Sequence, residues 1–411
     1  MRWAIPQYFK SSSRFLTYTV VARALRAAGH ELTDDVTDCD VVGFSACDVM
    51  DYLDLVKLRA ETRKPILVGG SYAFNYKSAI LYSDMVWVGE VYEMAECADI
   101  DALRAHPSCY VPGKPNVRAS TRIDWGDVPI AQIAPKKCYY WGGVGCKNKC
   151  RFCFTSWTHA HQVNSKARID AAKRVAAKEK KHLMIVSNEY EGGDGGRTMD
   201  MMLTDYVRFP VSASMIRCGI EFATEASRRE MGKRITDDDI YKAIQKMNVD
   251  GVAMRWFHIA GYDPLADWER YIEMLCGMLS RHPNKRIVHL MFNNLQYQNY
   301  TPLYTRRRDI DPARYIDVTV TRRWYDQLRQ YSRHVLVGAP SPFQHVACRM
   351  GVELSTERAQ VDYWLSKLKN AKGKLTVDEA YRALFSTGVL DTPMLRLNMR
   401  TGEITEGEHG A

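Results

Sequence analysis

Cys146-Lys147-Asn148-Lys149-Cys150-Arg151-Phe152-Cys153 sets three cysteines in a CxxxCxxC spacing. A loop this tight can aim three thiolates at one centre. Three thiolates suit three irons of a [4Fe–4S] cube and leave the fourth iron open to another ligand. The same residues could instead hold zinc, with His159 or His161 completing a Cys3His set. Zinc sites usually come as two separated cysteine pairs, and the chain has no second CxxC beside Cys150–Cys153. The flanks favour the cluster. Lys137-Cys138-Tyr139-Tyr140-Trp141 reads as a short strand, and Gly142, Gly143 and Gly145 lead from it into the loop. The C-terminal end of the first strand of an α/β barrel is where such folds carry catalytic groups.

The chain has 411 residues, room for two or three domains with a sizeable core. Its 46% hydrophobic and 26% charged residues place it among ordinary globular proteins. No apolar run is long enough to span a bilayer, and the start lacks the apolar core of a signal peptide. Eleven cysteines without a paired framework point to a reducing, cytoplasmic setting. The net charge of +9 admits an anionic partner such as nucleic acid.

Residues 1–108 alternate strand and helix signals. A helical face runs over Thr17–Ala28 and stops at Gly29. Short buried-strand patterns follow at Asp40–Ser45, Pro65–Gly70 and Met85–Glu90, with a helix over Asp48–Arg59. Strands separated by helices imply a parallel sheet with right-handed crossovers. Four prolines break residues 109–135, which read as a linker. A second region spans 136–305 and a third, mostly helical, spans 306–411. The basic helix over Ile169–Lys181 reads as a solvated outer face. The expected class is therefore α/β, with a Rossmann-like N-terminal domain and a small helical C-terminal domain.

The cysteine spacing, with Phe152 just before the last cysteine, resembles the radical S-adenosylmethionine (SAM) superfamily. Three further segments, in order, resemble the same family: Cys218-Gly-Ile-Glu-Phe-Ala-Thr-Glu225 with Met231-Gly-Lys-Arg-Ile-Thr236, then Trp256-Phe-His-Ile-Ala-Gly261, then Asn299-Tyr-Thr-Pro-Leu-Tyr304. The resemblance implies that Cys146, Cys150 and Cys153 hold a [4Fe–4S] cluster. It implies that SAM lies beside Phe152, near Ser187, Asn188 and Glu189 after the second strand, and near Glu221, His258 and Gly261. It also implies a one-electron donor such as a flavodoxin or ferredoxin. Residues 14–96 resemble the cobalamin-binding domain that precedes many such barrels. They lack the Asp-x-His-x-x-Gly of a lower axial histidine, so the domain is expected either to bind cobalamin or to be a retained scaffold. One segment departs from the family. Val211–Arg217 runs straight into Cys218–Glu221, too close for a crossover, so either this is one strand, or a strand and helix found in relatives are missing from the partial (β/α) barrel that the resemblance implies for residues 136–305.

Residues 306–411 do not match the family. Arg306, Arg307, Arg308, Arg322 and Arg323 interleave with Tyr304, Tyr315, Trp324 and Tyr325. Arginines pair with phosphates and aromatic rings stack on bases, so this segment is a candidate nucleic-acid grip. An amphipathic helix with its rings in the core explains the same pattern. Thr376-Val-Asp-Glu379 is a capping box opening a helix to about Phe385, and Leu395–Thr405 reads as a hairpin turning at Thr401-Gly402. The leading expectation is an enzyme that rearranges or methylates a nucleic-acid base or modified nucleotide. The alternatives are cobalamin-dependent methylation of a peptide or small metabolite, and a zinc-stabilised nucleic-acid-binding protein without catalysis.

Overall fold

The computed structural model describes residues 1–6, 12–125, 131–134, 137–187, 198–283, 286–370 and 375–407. Its first sheet holds β1 (Arg2–Ala4), β2 (Glu31–Thr33), β3 (Val41–Ser45), β4 (Ile66–Gly69), β5 (Met85–Trp87) and β6 (Cys109–Tyr110). Their spatial order is β2-β1-β3-β4-β5-β6, all parallel except the β5–β6 pair. β4 and β5 are buried almost throughout, which is why they read as unbroken apolar runs rather than alternating ones. The helices Ser12–Ala27 and Asp51–Glu61 make crossovers. The strand order reverses between β1 and β3, and open sheets of this kind bind ligands outside their carboxyl ends at such a point. β1 has no signal in the sequence pattern, because three residues are too few to show a period. It is nonetheless central, with Trp3 and Ala4 fully buried.

β7 (Ala131–Ala134) pairs antiparallel with β8 (Lys137–Trp141). After β8 a small antiparallel ladder forms from β9 (Gly143–Val144) and β10 (Gln162–Val163). β11 (His182–Val186) then pairs parallel with β8. β12 (Thr198–Asp200), β13 (Met215–Glu221), β14 (Ala253–Ala260), β15 (Val288–Asn294) and β16 (Val335–Gly338) form an all-parallel sheet in chain order. β8–β11 and β12–β16 are two arcs of a partial (β/α) barrel. β13 and β14 alternate strictly between buried and half-buried residues. One face packs under the helices Asp237–Asp250 and Leu265–Arg281, with Ile216, Cys218, Trp256 and Trp268 in a single core.

Of the two readings of Val211–Glu221 the structure has the first: one strand, β13, entered from Val211–Ser214, with β12 and the helix Leu203–Arg208 as the unit before it. A three-residue strand carries no readable pattern. The parallel sheet also runs past residue 305, because β16 pairs with β15 and the helix Val318–Arg329 packs with it. That helix and strand therefore extend the barrel layer into the region expected to be a separate domain.

The remaining chain forms the helices Phe343–Leu354, Arg358–Asn370 and Val377–Ser386, followed by the antiparallel hairpin β17 (Met394–Leu397) and β18 (Ile404–Gly407). The capping box is present: Glu379 N–H donates to Thr376 Oγ1 at 3.2 Å and Thr376 N–H donates to Glu379 Oε2 at 2.8 Å. These helices close over the first sheet's loops. Ser78 Oγ donates to Val352 O at 2.7 Å, and Tyr82 donates to Asp362. No helix among the described residues is long and apolar enough to cross a membrane.

Gly351 lets the Phe343–Leu354 helix approach its neighbour, since a Cβ there would lie 2.1 Å from Trp364 Cδ2. Gly351→Ala should therefore cost about 1–3 kcal/mol through overpacking. Urea unfolding checks this, and an unchanged midpoint would contradict the packing.

Candidate active site

The β9–β10 ladder draws together the ends of the cysteine loop. Within it, Gly145 has φ +71°, and a Cβ there would stand 2.4 Å from Ala160 O, so only glycine fits the crossing. Cys150 O accepts from Cys153 N–H at 3.1 Å and from Trp157 Nε1 at 2.9 Å. Two distant segments then fix the loop from outside. Arg151 N–H donates to Met231 O at 3.1 Å, and Leu303 N–H donates to Arg151 O at 2.9 Å. Gly232, at φ +81°, would carry a Cβ 3.2 Å from Lys149 O, so the Met231–Lys233 turn lies directly against the loop.

Cys150 is buried, Cys146 and Cys153 are half-buried, and none is in a disulfide. Burial pushes the Cys150 thiol up to about 11; Lys233 pulls it down, while Cys153, Glu221 and Cys146 add to the rise. Among the described residues no three His, Cys, Asp or Glu side chains could hold one metal ion. A cube asks for less convergence, because its three cysteines grip three different irons. The zinc alternative also needs a histidine. His159 Nδ1 is 2.9 Å from Thr158 Oγ1, its ring packs 5.5 Å from Phe74, and burial lowers its pKa to about 4. The donor set fits a sulfide-bridged cluster better than a Cys3His zinc ion.

A cavity of about 490 Å³ opens beside the loop, lined by Phe152, Cys153, Glu221, Phe257 and Ile259 among others. Phe152 packs edge-on to Phe222 at 5.2 Å. Glu221 sits at a β-bulge with φ +75°, and its carboxylate folds back over Gly219, where a Cβ would meet Oε1 at 1.8 Å. Glu221 Oε1 pairs with Lys233 Nζ at 3.2 Å, with side chains only 13% and 10% exposed. Burial alone would lower the Lys233 ammonium's pKa; Glu221, Cys150 and Cys153 hold it above its ordinary value.

Other expected site residues lie elsewhere. His258 is fully buried on the opposite face of β14 and points toward the helices. Its Nε2 meets Tyr271 OH at 2.9 Å and its ring stacks on Phe292 at 4.8 Å. Burial pushes its pKa down to about 3, with Arg228 acting in the same direction. Strand alternation gives the cavity Phe257 and Ile259 instead. Gly261 has φ +103° and lies under Tyr315, whose ring would be 2.9 Å from a Cβ; its glycine serves that contact. Ser187 lines a second cavity, and Asn188 and Glu189 lie outside the described residues.

This second cavity, about 680 Å³, lies over the carboxyl ends of the first sheet, along Ser45, Cys47, Gly69, Gly70 and Gly89, and faces Trp141 and Val186 of the barrel. Gly70 and Gly89 take φ +94° and +98°, conformations that favour glycine. Nothing lies within 4 Å of where a Gly69 Cβ would stand. The cavity reaches the strand-order reversal at Ile5 and Ser45, and its glycine-edged floor beyond the ends of β4 and β5 fits the flat face of a corrin. Cys47, Ser71 and Thr155 line both cavities, so the two adjoin.

Four of the five candidate nucleic-acid arginines have partners within the chain. Arg306 pairs with Glu230 at 3.1 Å and Asp309 at 3.0 Å, Arg308 with Asp391, and Arg323 with Glu269. Arg307 is buried and donates to Leu390 O at 2.6 Å and Thr392 O at 3.0 Å. Arg322 is exposed. Trp324 and Tyr304 are fully buried core rings, as the amphipathic-helix explanation expects. Sequence reasoning missed Lys233, although Met231-Gly-Lys233 was among the matching segments. It also missed Arg349 and Glu353, whose helix reaches the cavity from the chain's third region.

Replacing Lys233 by Met leaves Glu221 without its ion-pair partner in a nearly closed site. Stability should fall by about 3 kcal/mol or more, and Glu221→Gln in the same chain should restore much of it. Urea unfolding of single and double variants measures this; equal losses in both would contradict a coupled pair.

No protein-family model matches the sequence, and no curated protein matches it. Solved structures match in fold. A structure of the radical SAM methyltransferase TsrM from Kitasatospora setae, with cobalamin and a [4Fe–4S] cluster bound, aligns with TM-score 0.56 at 11% identity, covering 90% of this chain and 99% of that one. A second TsrM structure, with tryptophan substrate and the SAM analogue aza-SAM, aligns with TM-score 0.53 at 11% identity over 74% of each chain. The cobalamin-dependent SAM radical enzyme OxsB, with aqua-cobalamin bound, aligns with TM-score 0.51 at 13% identity, covering 99% of this chain and 64% of OxsB. The chain thus has the fold of the radical SAM proteins that carry an N-terminal cobalamin-binding-like domain.

Proposed function

We propose that this chain is a radical SAM enzyme that rearranges or methylates a nucleobase or modified nucleotide held in the cavity beside Cys153. One observation carries the reading: the cavity at the cysteine loop and the cavity over the glycine-edged sheet adjoin at Cys47, Ser71 and Thr155. Cys146, Cys150 and Cys153 would hold the [4Fe–4S] cluster, with SAM beside Glu221, Phe257 and Ile259 and cobalamin along Gly69, Gly70 and Gly89. When bound, these groups supply one-electron cleavage of SAM to a 5′-deoxyadenosyl radical and a methyl carrier. The chain's own residues place and shield. Phe152 against Phe222, and Phe154 against Phe74 at 5.6 Å, build an aromatic wall that keeps water from the reacting centre. Asn75, Asn293, Gln296 and Gln298 line the cavity with carboxamides, which offer donors and acceptors to a heterocycle's edge. The reading requires a one-electron donor such as a flavodoxin or ferredoxin.

A second reading, cobalamin-dependent methylation of a peptide or small metabolite, is favoured by the internal pairing of Arg306, Arg308 and Arg323, which occupies charges a phosphate backbone would use. The two readings share the site and differ in what enters it.

Anaerobically purified protein should carry about four irons and matching sulfide per chain, and Cys146→Ala, Cys150→Ala or Cys153→Ala should each lose them. One zinc per chain without sulfide would contradict the cluster. Added hydroxocobalamin should be retained stoichiometrically; colourless protein would make the first domain a scaffold. Binding to DNA or RNA should weaken with salt, by about 0.7–0.9 units of log–log slope for each phosphate contacted. Absence of any salt-sensitive affinity would leave the peptide or metabolite reading in place.

A further inference from the structure

Arg349 and Glu353 both line the cavity beside Cys153 and stand one turn apart on the Phe343–Leu354 helix. At that spacing opposite charges ordinarily pair. Here Arg349 Nη2 turns away and donates to Asp48 Oδ2 at 2.6 Å. Glu353 is 4% exposed, and among the described residues it forms no ion pair. Its Oε2 accepts from Tyr72 OH at 3.4 Å and from Gln296 Nε2, and the Asn75 side chain also hydrogen-bonds the carboxyl; all three partners are neutral. A carboxylate buried in this way is costly unless it takes up a proton or a cation completes it. The cavity is the place from which that cation can come.

We propose that Glu353 receives a primary ammonium group of the substrate, so that the enzyme acts on an amine-bearing molecule. This rests on the cavity being the substrate site of the proposed enzyme, and it narrows the substrate from any polar heterocycle to one carrying an amine. Asp48 serves by holding Arg349 off Glu353, since a direct Arg349–Glu353 pair would fill the position the ammonium takes. Glu353 is thus a specificity residue. Burial pushes its carboxyl up to about 7, against the pull of Asn75, Arg349, Gln296 and Tyr72, as expected of a group awaiting a counter-charge.

The test uses the full-length protein and two matched probe pairs: 5-aminomethyl-2′-deoxyuridine with 5-hydroxymethyl-2′-deoxyuridine, and tryptamine with tryptophol. Each pair exchanges an ammonium for a hydroxyl. Calorimetric titration at pH 8 should show the amine of at least one pair bound about tenfold more tightly or better, the size of a charge-assisted hydrogen bond. Glu353→Gln, shown folded by its melting curve, should bind both members of that pair alike. The wild-type comparison stands even if the variant fails to fold. No amine preference in the wild type, including no binding of any probe, overturns the proposal. So does a preference that survives in Glu353→Gln, or a variant whose only defect is in binding SAM. Failure here alongside normal iron, sulfide and SAM cleavage in the wild type would reject the amine and leave the enzyme reading intact.

Discussion

Everything at the site depends on how the cysteine loop is held. A stretch of eight residues with three thiols has no conformation of its own, and the loop has no regular structure between β9 and the short helix Thr155–Thr158. Its shape comes from outside: the β9–β10 ladder at its ends, Met231 O and Leu303 N–H on Arg151, and Gly145 and Gly232 where side chains would collide. Met231 follows β13 and Leu303 follows β15, so the barrel must be assembled before the loop is fixed. Preorganisation of the loop's backbone is thus a consequence of the fold, which is the arrangement a functional site requires.

The same segments tie electrostatics to geometry. Lys233 ends the turn that presses on the loop, and its ammonium pairs with Glu221 and is drawn by the charges of Cys150 and Cys153. A cation there pulls the Cys150 thiol down against its burial and keeps Glu221 in place at the cavity wall. On the far side, the cavity is closed by the helix Phe343–Leu354 and by loops after β3 and β4. All three regions of the chain contribute to one space, and this explains why the C-terminal helices pack on the first sheet rather than standing apart.

Legibility in the sequence followed range. The cysteine spacing, the Thr376 capping box and the hairpin at Gly402 are local patterns, and each is present as read. β1, β12 and β16 were not seen, because three or four residues show no period and only pairing with neighbours makes them strands. The resemblance puts His258 beside SAM, but a motif does not say which parity of a strand faces inward, and β14 turns Phe257 and Ile259 to the cavity and His258 to Tyr271. The arginines of 306–323 looked available for phosphate because a sequence displays charges without partners, and their acidic partners Glu230, Glu269 and Asp391 come from elsewhere in the chain. Glu353 was invisible for the converse reason: its meaning lies in the pairing it does not make.

The central claim is that Cys146, Cys150 and Cys153 hold a cluster with one iron open to SAM. Electron paramagnetic resonance of the dithionite-reduced protein tests it most directly. The account predicts a [4Fe–4S]⁺ signal whose g values shift when SAM is added, because a new ligand reaches the open iron. A reduced signal unmoved by SAM, or no cluster signal from protein that holds zinc, would contradict it.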